Sequence, residues 1–413
     1  MLIGVPIAVA VLLVAGSLLV VSRLPKSTVA TKPTPSAVAS ASPSPSPSPS
    51  ECPNPCPSAC PDGCPSPSPS PVASTAPKPA PPVAQGCASV SGPPPAGSIA
   101  ANFPTALAFA PDGRMFWTEL SGTLKVWQNG GVHVFATVPT SNSGERGMLG
   151  LALSPSFSRD HFVYAFYSRA DNLTLQRVVR WTDCGGTGMN LTTIVDNLPA
   201  GGDCCHKGGR IAFGTDGMLY VTIGENHVPS AAQNACDLRG KVLRYTPTGA
   251  AAGQCGPVWT TGLRNPFGIA FAPDGTMAIT NNGPSGDNNT PCGGCGDMVD
   301  IVGKSPGVEY QWPTCWGYSH VISGYSSCVG READFSTEGG PYPKSSPFFV
   351  APTGMTYAGG HFLFCADVGN HHVYQYNGSK SVSDTGLANC QLDVKQAPDG
   401  ALYTADQTSI TRH

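Results

Sequence analysis

The sequence predicts an all-β protein: a six-bladed β-propeller of four-stranded antiparallel blades, preceded by an N-terminal apolar helix and a disordered Pro/Ser linker. Three observations support this prediction. Charged residues are only 12% of the 413 residues, whereas Gly (49) and Pro (42) are abundant, which is typical of short strands joined by turns. A strand–turn–strand pattern recurs six times in the chain. No long amphipathic helix pattern competes with it.

The N-terminal segment is one uncharged apolar run, LIGVPIAVAVLLVAGSLLVVS, at residues 2–22. It is long enough to cross a bilayer as a helix, so we assign 1–22 to a signal anchor or a signal peptide. A retained anchor is the favoured alternative, because the run is long, no basic residue precedes it and no small-x-small cleavage site follows it. If it is not cleaved, this helix is the membrane contact of the protein.

The cysteines indicate the compartment. There are 16 of them, an even number, and half-cystines in an exported protein explain this density better than cytosolic thiols do. The basic residues that begin at Arg23 would keep the chain in the cytoplasm by the positive-inside rule. We give the cysteines more weight and predict an extracytoplasmic protein, membrane-anchored or secreted. Cys315 and Cys328 are a plausible local disulfide pair, whereas the C-x-x-C of Cys292 and Cys295 lacks the second pair that a zinc site needs.

Residues 23–86 are predicted to be a disordered linker with a cysteine cluster. The stretches PSPSPSPSPS and PSPSPSPVASTAPKPAPP bury nothing and favour extended polyproline II segments. Such a stalk would hold a folded domain, predicted at 87–413, away from a membrane or wall. The clustered cysteines are Cys52, Cys56, Cys60 and Cys64.

Six hairpins fill the region 87–413. In each, an apolar strand is followed by a D-G, G-G or longer turn and then by an alternating second strand, which is a strong hairpin pattern. Six copies in about 330 residues give about 55 residues each, slightly more than the usual propeller blade, around a central channel. A sandwich or a pair of β domains is the alternative. The copies are LAFAPDGRMFWTE (107–119), LALSPSFSRDHFVYAFY (151–167), IAFGTDGMLYVTIGE (211–225), IAFAPDGTMAITN (269–281), MTYAGGHFLFCAD (355–367) and VKQAPDGALYTAD (394–406).

The charge pattern excludes nucleic acid as a partner. The formal net charge is −3, so there is no basic excess, and no motif combines aromatic residues with Arg as a nucleic-acid groove does.

Three segments next to hairpins contain polar residues that a turn alone does not need. Propeller sites lie at the mouth of the central channel, on loops that enter or join strands, and these segments fall at such positions. The segments are SGERGMLGLALSPSF (143–157) with Glu145 and Arg146, GGDCCHKGGRIAFGTDGMLYVTIGEN (201–226) with His206, and TGLRNPFGIAFAPDGTMAITNNGPSGDN (261–288) with Arg264, Asn265, Gly283 and Pro284.

These residues resemble a known family. GERGMLGLALSPSF, HKGGRIAFGTDGMLYVTIGEN, GLRNPFGIAFAPDG, NNGP and EYQWP, in this order, are similar to the glucose/sorbosone dehydrogenase family. Its members are soluble quinoproteins, PQQ-dependent aldose sugar dehydrogenases on a six-bladed propeller. The resemblance covers nearly all of 100–413 and agrees with the fold predicted from the repeats.

The resemblance implies a catalytic site. His206 matches the base that takes the proton from the anomeric hydroxyl, and imidazole, with an unperturbed pKa of about 6.5, suits that task near neutral pH. Hydride would pass from the sugar C1 to the quinone C5. Arg264 matches the arginine beside the quinone carbonyl, where it would stabilise developing negative charge. Asn265 matches a second cofactor contact, and Glu145 falls where some members have an amide that contacts quinone or substrate.

The resemblance also implies calcium. Gly283 and Pro284 match backbone-carbonyl ligands of the calcium ion that polarises PQQ, and such oxygens suit a hard cation. Asp297, Asp300 and Tyr310 fall near a second, structural calcium site.

Two departures from the family pattern stand out. Cys205 replaces an acidic residue before His206, and with Cys204 it could form a vicinal disulfide, or each could pair elsewhere. The arginine pair expected late in the chain is missing, with Cys390 and Leu392 near those places. The nearby cations in that region are Lys395, His371 and His372.

The sequence therefore predicts an exported PQQ- and calcium-dependent oxidoreductase that converts the C1 hydroxyl of an aldose to a lactone. The alternative is a catalytically inactive propeller that binds a cell-surface glycan or protein, and a third hypothesis is a calcium-dependent lactonase. The small-molecule sugar is the predicted substrate partner, and the electron acceptor leaves no signature in the sequence.

Overall fold

A computed structural model describes residues 92–284, 296–337 and 350–413. Within them, six sheets surround one axis, and the first strands of successive blades contact each other in a closed ring. The six-bladed propeller predicted from the repeats is confirmed. The predicted anchor at 1–22, the linker at 23–86 and the pair Cys292 and Cys295 lie outside the described residues. None of the helices in the described part is long and apolar enough to cross a membrane.

The first three blades follow one another along the chain, each running from its innermost strand outward. Their strands are, in blade 1, β2 (Pro104–Phe109), β3 (Met115–Glu119), β4 (Thr123–Gln128) and β5 (Gly131–Thr137); in blade 2, β6 (Met148–Leu153), β7 (Phe162–Ser168), β8 (Leu175–Cys184) and β9 (Thr187–Pro199); in blade 3, β10 (Ile211–Phe213), β11 (Leu219–Ile223), β12 (Lys241–Tyr245) and β13 (Val258–Thr261).

The last three blades have the same order, except that blade 6 takes its outer strand from the start of the domain. Their strands are, in blade 4, β14 (Asn265–Phe271), β15 (Met277–Asn282), β16 (Met298–Val302) and β20 (Phe335–Ser336); in blade 5, β21 (Val350–Ala358), β22 (His361–Val368), β23 (Tyr374–Gly378) and β24 (Ser381–Asp384); in blade 6, β25 (Asp393–Gln396), β26 (Leu402–Ala405), β27 (Ser409–Arg412) and β1 (Ser98–Ala100).

A few short elements lie outside this regular pattern. Blade 3 differs from the prediction because it has a fifth strand, β17, which pairs parallel to β13. The insertion in blade 4 contains the hairpin β18–β19, and the two helices are short. These elements are β17 (Val308–Glu309), β18 (Cys315–Trp316), β19 (His320–Val321), α1 (Phe157–Asp160) and α2 (Pro229–Gln233).

Each predicted hairpin forms the first two strands of one blade. The turn chemistry explains why. In blade 1, Gly113 has φ +89°, a conformation that glycine adopts without steric cost, and its amide donates to the Ala110 carbonyl at 2.9 Å. Blade 2 replaces this turn by α1, which accounts for the longer connection seen in its sequence copy.

The ring is closed by the N-terminal strand of the domain. β1 pairs antiparallel with β27, placing Ile99 opposite Ile410, and both side chains are buried. The last blade is thus built from the two ends of the described domain, and this covers a strand edge that would otherwise be unpaired.

Six apolar clusters of the described core lie between the blades, one for each pair of neighbours. Between blades 1 and 2, for example, Phe116 and Phe135 pack edge to face at a centroid distance of 5.4 Å, and Phe157 from α1 joins them. Burying one such side chain stabilises the fold by roughly 1.5–3 kcal/mol. The alternating strands of each hairpin provide these contacts.

A cluster of charged side chains, Arg210, Asp393 and Lys395, occupies the axis; we call it the axial charge cluster. Arg210 is buried and donates to the carbonyls of Leu149 (3.0 Å) in blade 2 and Leu392 (2.6 Å) before blade 6. Its guanidinium also lies 3.8 Å from the Asp393 carboxylate.

Asp393 and Lys395 extend the axial charge cluster to blades 1 and 5. Asp393 accepts the Leu107 amide at 2.8 Å, and Lys395 donates to Asp393 at 3.2 Å and to the Met355 carbonyl at 2.5 Å. The Arg210 guanidinium lies over a blade 4 ring, that of Phe267, at 4.7 Å. The three side chains therefore contact every blade around the ring.

Several disulfides support the connections of the described domain. They join Cys236 to Cys255, Cys315 to Cys328, Cys365 to Cys390, and Cys204 to its neighbour Cys205. The predicted Cys315–Cys328 pair is confirmed, and the vicinal pair is the alternative that the structure selects for Cys204 and Cys205.

Candidate active site

The predicted catalytic and cofactor-binding residues come together on one face of the propeller. In an antiparallel hairpin the start of the first strand and the end of the second lie at the same edge of the sheet. Glu145, His206 and Arg264 precede the first strands of blades 2, 3 and 4, whereas Glu225 and Gly283 follow the second strands of blades 3 and 4. The sequence spacing of these residues therefore places them around the same end of the channel.

His206 is held from several sides. Its side chain is 8% exposed, its Nδ1 contacts the Glu225 carboxylate, and its carbonyl accepts the side-chain amide of Asn226 at 2.7 Å. Its backbone has φ +58°, a left-handed conformation that costs a non-glycine residue about 1–3 kcal/mol. The surrounding contacts must offset this cost, so these contacts, and not the local backbone preference, fix the position of the imidazole.

Glycine allows the backbone to approach this histidine closely. A Cβ on Gly224 would lie 2.2 Å from the His206 carbonyl oxygen, and one on Gly208 would lie 2.7 Å from the Thr222 carbonyl oxygen. Gly208 also has φ +63°. Gly208 and Gly224 are therefore required for packing between β11 and the segment that contains His206.

Glu145 connects the histidine to blade 4. Its Oε2 accepts the His206 backbone amide at 2.7 Å and the Asn265 side-chain amide at 3.4 Å. Glu145 is accessible to solvent, yet surrounding protein removes enough hydration to raise its pKa, an effect that the His206 amide and Arg264 partly oppose.

Arg264 and Asn265 are buried at the start of β14. Arg264 Nη1 donates to the carbonyls of Asn282 (3.1 Å) and Gly283 (2.8 Å), and its carbonyl accepts the Glu225 amide at 2.8 Å. Asn265 Oδ1 accepts the Gly208 amide at 3.1 Å. Glu225 thus contacts His206 with its side chain and Arg264 with its backbone, which brings the two predicted catalytic residues into one hydrogen-bonded site.

The predicted calcium loop lies beside this site. The Gly283 amide donates to Asp297 at 2.9 Å, and the second Asp297 oxygen accepts the Ala351 amide at 2.8 Å. Burial raises the pKa of Asp297 to about 6, although both amides and Arg264 oppose the shift. Pro284 is buried next to Gly283.

Asp300 and Tyr310 form a separate buried pair of polar groups. Asp300 Oδ2 accepts the Asn281 side-chain amide at 3.2 Å, while Asp300 Oδ1 and the Tyr310 hydroxyl have no hydrogen-bond partner in the described structure. Burial raises the pKa of both groups well above their usual values. In the described part of the chain, no three His, Cys, Asp or Glu side chains converge as a metal site would require, so any cation here would depend on carbonyl and hydroxyl oxygens as well.

The late positions that lack arginine are closed by apolar groups. Cys390 is fully buried in its disulfide with Cys365, and Leu392 is 7% exposed within an apolar cluster. His371 Nε2 contacts the Asp367 carbonyl at 3.0 Å, and His372 Nδ1 contacts Asp384 at 2.9 Å. Lys395 belongs to the axial charge cluster.

Sequence reasoning missed Glu225 as the partner of the imidazole, and missed Asn281 and Asn282. Asn281 Oδ1 accepts the Asn265 amide at 3.1 Å, and Asn282 Nδ2 donates to the Pro352 carbonyl at 2.9 Å. All three follow or end a second strand, in the stretches TIGEN and ITNN. The hairpin rule that located His206 and Arg264 would have identified them, because these positions share the same edge of the sheet.

Comparison with known proteins agrees with the geometry. The family model described as glucose/sorbosone dehydrogenase matches residues 101–411. The chain belongs to this family. The resemblance inferred from the sequence motifs is confirmed, and the glucose/sorbosone dehydrogenase region includes all six first strands and every described residue of the site.

Individual glucose/sorbosone dehydrogenase relatives are distant. An aldose sugar dehydrogenase of Escherichia coli strain K12 is 28% identical over 338 residues, which cover 74% of this chain and 87% of that protein. Quinoprotein glucose dehydrogenase B of Acinetobacter calcoaceticus is 27% identical over 276 residues, 56% of this chain and 55% of that protein. The PQQ-bound aldose sugar dehydrogenase of Streptomyces coelicolor is similar with a TM-score of 0.59 at 26% identity, covering 77% of this chain and 98% of that one.

Proposed function

We propose that this protein is an exported PQQ- and calcium-dependent sugar dehydrogenase that oxidises the C1 hydroxyl of an aldose to a lactone. The observation that supports it best is the joining of His206 and Arg264 in one site through Glu225. Family membership and the described activities of the relatives support the same reaction class. Residues of the last two blades differ from the family pattern.

The residues present fit the quinone end of PQQ. A buried guanidinium (Arg264) and a side-chain amide (Asn265) lie at the start of β14, and Asn265 and the His206 amide both donate to the solvent-accessible carboxylate of Glu145. When bound, PQQ would supply a quinone that accepts two electrons from the sugar carbon. Arg264 and Asn265 would hold it from the blade 4 side.

The protein's own part in the reaction is proton transfer and charge stabilisation. The Glu225 carboxylate at Nδ1 favours the tautomer with hydrogen on that nitrogen, which leaves the Nε2 lone pair to accept a proton. His206 Nε2 would then take the proton of the C1 hydroxyl as the C1–H bond breaks, and the C1 hydrogen would leave with both bonding electrons for the acceptor that the quinone supplies. Arg264 would stabilise the negative charge that develops nearby.

Calcium would be held chiefly by oxygen atoms of the blade 4 loop. The carbonyls of Gly283 and Pro284 are the proposed ligands, with the buried carboxylate of Asp297 bonded to the same loop. Asp300 Oδ1 and the Tyr310 hydroxyl are buried and lack hydrogen-bond partners in the described structure, so a second cation would satisfy both. Hard oxygen ligands of this kind suit Ca²⁺.

The carboxylate end of PQQ has fewer cationic partners than the family pattern implies. Cys390 and Leu392 are buried, and His371 and His372 are engaged by Asp367 and Asp384. Because charge-assisted hydrogen bonds are about twice as strong as neutral ones, this arrangement favours weaker cofactor binding. It also supports the second candidate function, a binding propeller for cell-surface glycan or protein that has lost the cofactor.

Export belongs to the same proposal. The disulfides of the described domain are typical of an oxidising compartment. We propose that the chain is extracytoplasmic, anchored by residues 1–22 or secreted after their removal, with the sugar and the electron acceptor as its small-molecule and redox partners.

Titration of the full chain with PQQ, with and without Ca²⁺, tests the proposal. We expect quinone absorbance to associate with the protein and aldose oxidation to appear with a dye acceptor. His206→Gln should lower kcat by a factor of about 10² or more, since general base catalysis contributes 10²–10⁴. His133→Gln, a change at an exposed position of β5, is the matched control. Absence of PQQ binding, together with glycan binding that His206→Gln does not affect, would establish the binding propeller instead.

A further inference from the structure

The vicinal disulfide lies directly before His206. Cys204 and Cys205 are bonded to each other, and a disulfide between adjacent residues closes a small ring that fixes the peptide group between them. Cys204 is exposed and Cys205 is half-buried, so the pair adds little to the apolar core. Its position next to the base suggests a role other than packing.

One residue at the start of blade 2, Glu145, makes hydrogen bonds to the disulfide segment on both sides of Cys205. The Glu145 amide donates to the Cys204 carbonyl at 2.8 Å, while the Glu145 carboxylate accepts the His206 amide at 2.7 Å. Glu145 therefore bonds to the chain on both sides of Cys205. The approach is tight, because a Cβ on Gly144 would lie 2.5 Å from the Cys204 carbonyl oxygen.

The geometry points to the Cys204–Cys205 disulfide as a positioning element of the active site, one that holds His206 in the conformation in which it can act as base. His206 needs such support because its φ of +58° is unfavourable for a residue with a side chain. If the disulfide were opened to two thiols, the backbone of Cys205, the residue before His206, would again rotate freely. The two hydrogen bonds made by Glu145 would then have to hold the segment alone. This inference rests on the proposed function of His206.

The first test is the double variant Cys204→Ser/Cys205→Ser in the full chain. We expect kcat for aldose oxidation to fall about tenfold while KM for the sugar changes less than about twofold, since the interaction lost is one used in the chemical step. The matched control is Cys236→Ser/Cys255→Ser, which removes a disulfide that also joins one exposed and one half-buried cysteine. That control should leave both constants unchanged.

The second readout does not require the cofactor. NMR of ring-labelled histidine in the PQQ-free protein, with His206 assigned by its loss in His206→Gln, reports the position and tautomer of the imidazole. The titratable groups around it are Glu225 at Nδ1, Glu145 at its amide, the His227 ring at 4.3 Å and the adjacent Lys207. We expect the His206 ring resonances to change when Cys204 and Cys205 are replaced and to stay the same in the control.

If the Cys204→Ser/Cys205→Ser variant fails to fold, reduction of the native disulfide in the folded protein replaces it as the test. In the Cys236→Ser/Cys255→Ser background, a dithiol reductant opens Cys204–Cys205 to two thiols and is itself oxidised to a disulfide. Mass mapping after alkylation checks that the disulfides Cys315–Cys328 and Cys365–Cys390 stay closed.

The outcomes separate the two proposals. Unchanged His206 resonances after opening of the vicinal disulfide overturn the inference, whether or not kcat falls. If the wild type shows no PQQ-dependent activity, the proposed function fails, and the NMR measurement alone still decides whether the disulfide positions His206.

Discussion

At the scale of single residues, the chemistry of the site depends on pairs rather than on isolated side chains. His206 is oriented by Glu225, and Glu145 bonds both to His206 and to Asn265. Each of these carboxylates therefore has a testable consequence of its own.

Glu225→Gln should impair catalysis more than folding. A glutamine at this place can donate to Nδ1 and so favour the tautomer with hydrogen on Nε2, which cannot accept the substrate proton. We expect kcat to fall about 10²-fold or more with a small change in KM. Steady-state kinetics of the PQQ-loaded protein measure this. Glu119→Gln, which alters another buried carboxylate at the end of a second strand, is the control, and an equal loss in both variants would refute the orienting role.

Glu145 should make stability depend on pH. Its folded pKa is raised above the ordinary value of 4.5 by loss of hydration, so the folded chain binds its proton more tightly than the unfolded chain does. This contribution to stability is fully present below the unfolded pKa and is lost as the pH rises through the folded pKa.

Urea unfolding of the wild type and of Glu145→Gln, at several values from about pH 4.5 to about pH 7.5, measures this effect. The free energy of unfolding of the wild type should fall relative to the variant as the pH rises. A difference that stays constant with pH would show that Glu145 titrates at its ordinary value.

At the scale of strands and turns, close contact between the first strands makes small residues necessary. Gly268 lies in β14, where an added Cβ would be 2.2 Å from the Thr353 carbonyl oxygen and 2.8 Å from Thr280 Oγ1. That hydroxyl links the blades, since it accepts the Gly268 amide at 2.7 Å and donates to the Thr353 carbonyl at 2.8 Å. The strand spacing is therefore set by backbone contacts rather than by apolar side chains.

Gly268→Ala should lower the free energy of unfolding by about 1–3 kcal/mol, the usual cost of overpacking. Chemical denaturation checks the value. Gly303→Ala, just after β16 in the same blade, is the matched control because nothing lies within 4 Å of its added Cβ. Equal stability of the two variants would mean that blades 4 and 5 can separate without loss.

At the scale of the whole molecule, two features stabilise the ring: the strand pairing that closes it and the charged side chains on its axis. β1 and β27 join the ends of the described domain, while the axial charge cluster contacts all six blades. Within the cluster, Arg210 and Lys395 share the carboxylate of Asp393.

Asp393→Asn should destabilise the propeller as one unit. It would leave two cations without their shared carboxylate, and breaking a buried ion pair from one side costs about 3–5 kcal/mol. Calorimetry should show one transition at a lower Tm. Asp274→Asn, in an exposed pair with Lys304 at 3.0 Å, should leave Tm unchanged. Separate transitions for different blades would contradict the inference that the axial charge cluster stabilises all six blades as one unit.

The sequence by itself determined the fold class and indicated that predicted site residues such as His206 and Arg264 share one face of the propeller. Turn residues and the alternation of apolar residues act over a few positions, so they can be recognised in hairpin repeats such as IAFAPDGTMAITN. The same hairpin geometry places His206 and Arg264 at one edge of their sheets. Cys315 and Cys328, being close along the chain, could be paired in the same way.

Only the tertiary structure decided which groups meet across blades. The contact of Glu145 with Asn265, the hydrogen bonds of Glu145 on both sides of Cys205 and the axial cluster of Arg210 with Asp393 join residues up to 183 positions apart. Such contacts depend on the closure of the ring, which no local pattern encodes. The physical reason is that apolar alternation and turn residues determine each blade, whereas the site forms only when the six blades approach one axis.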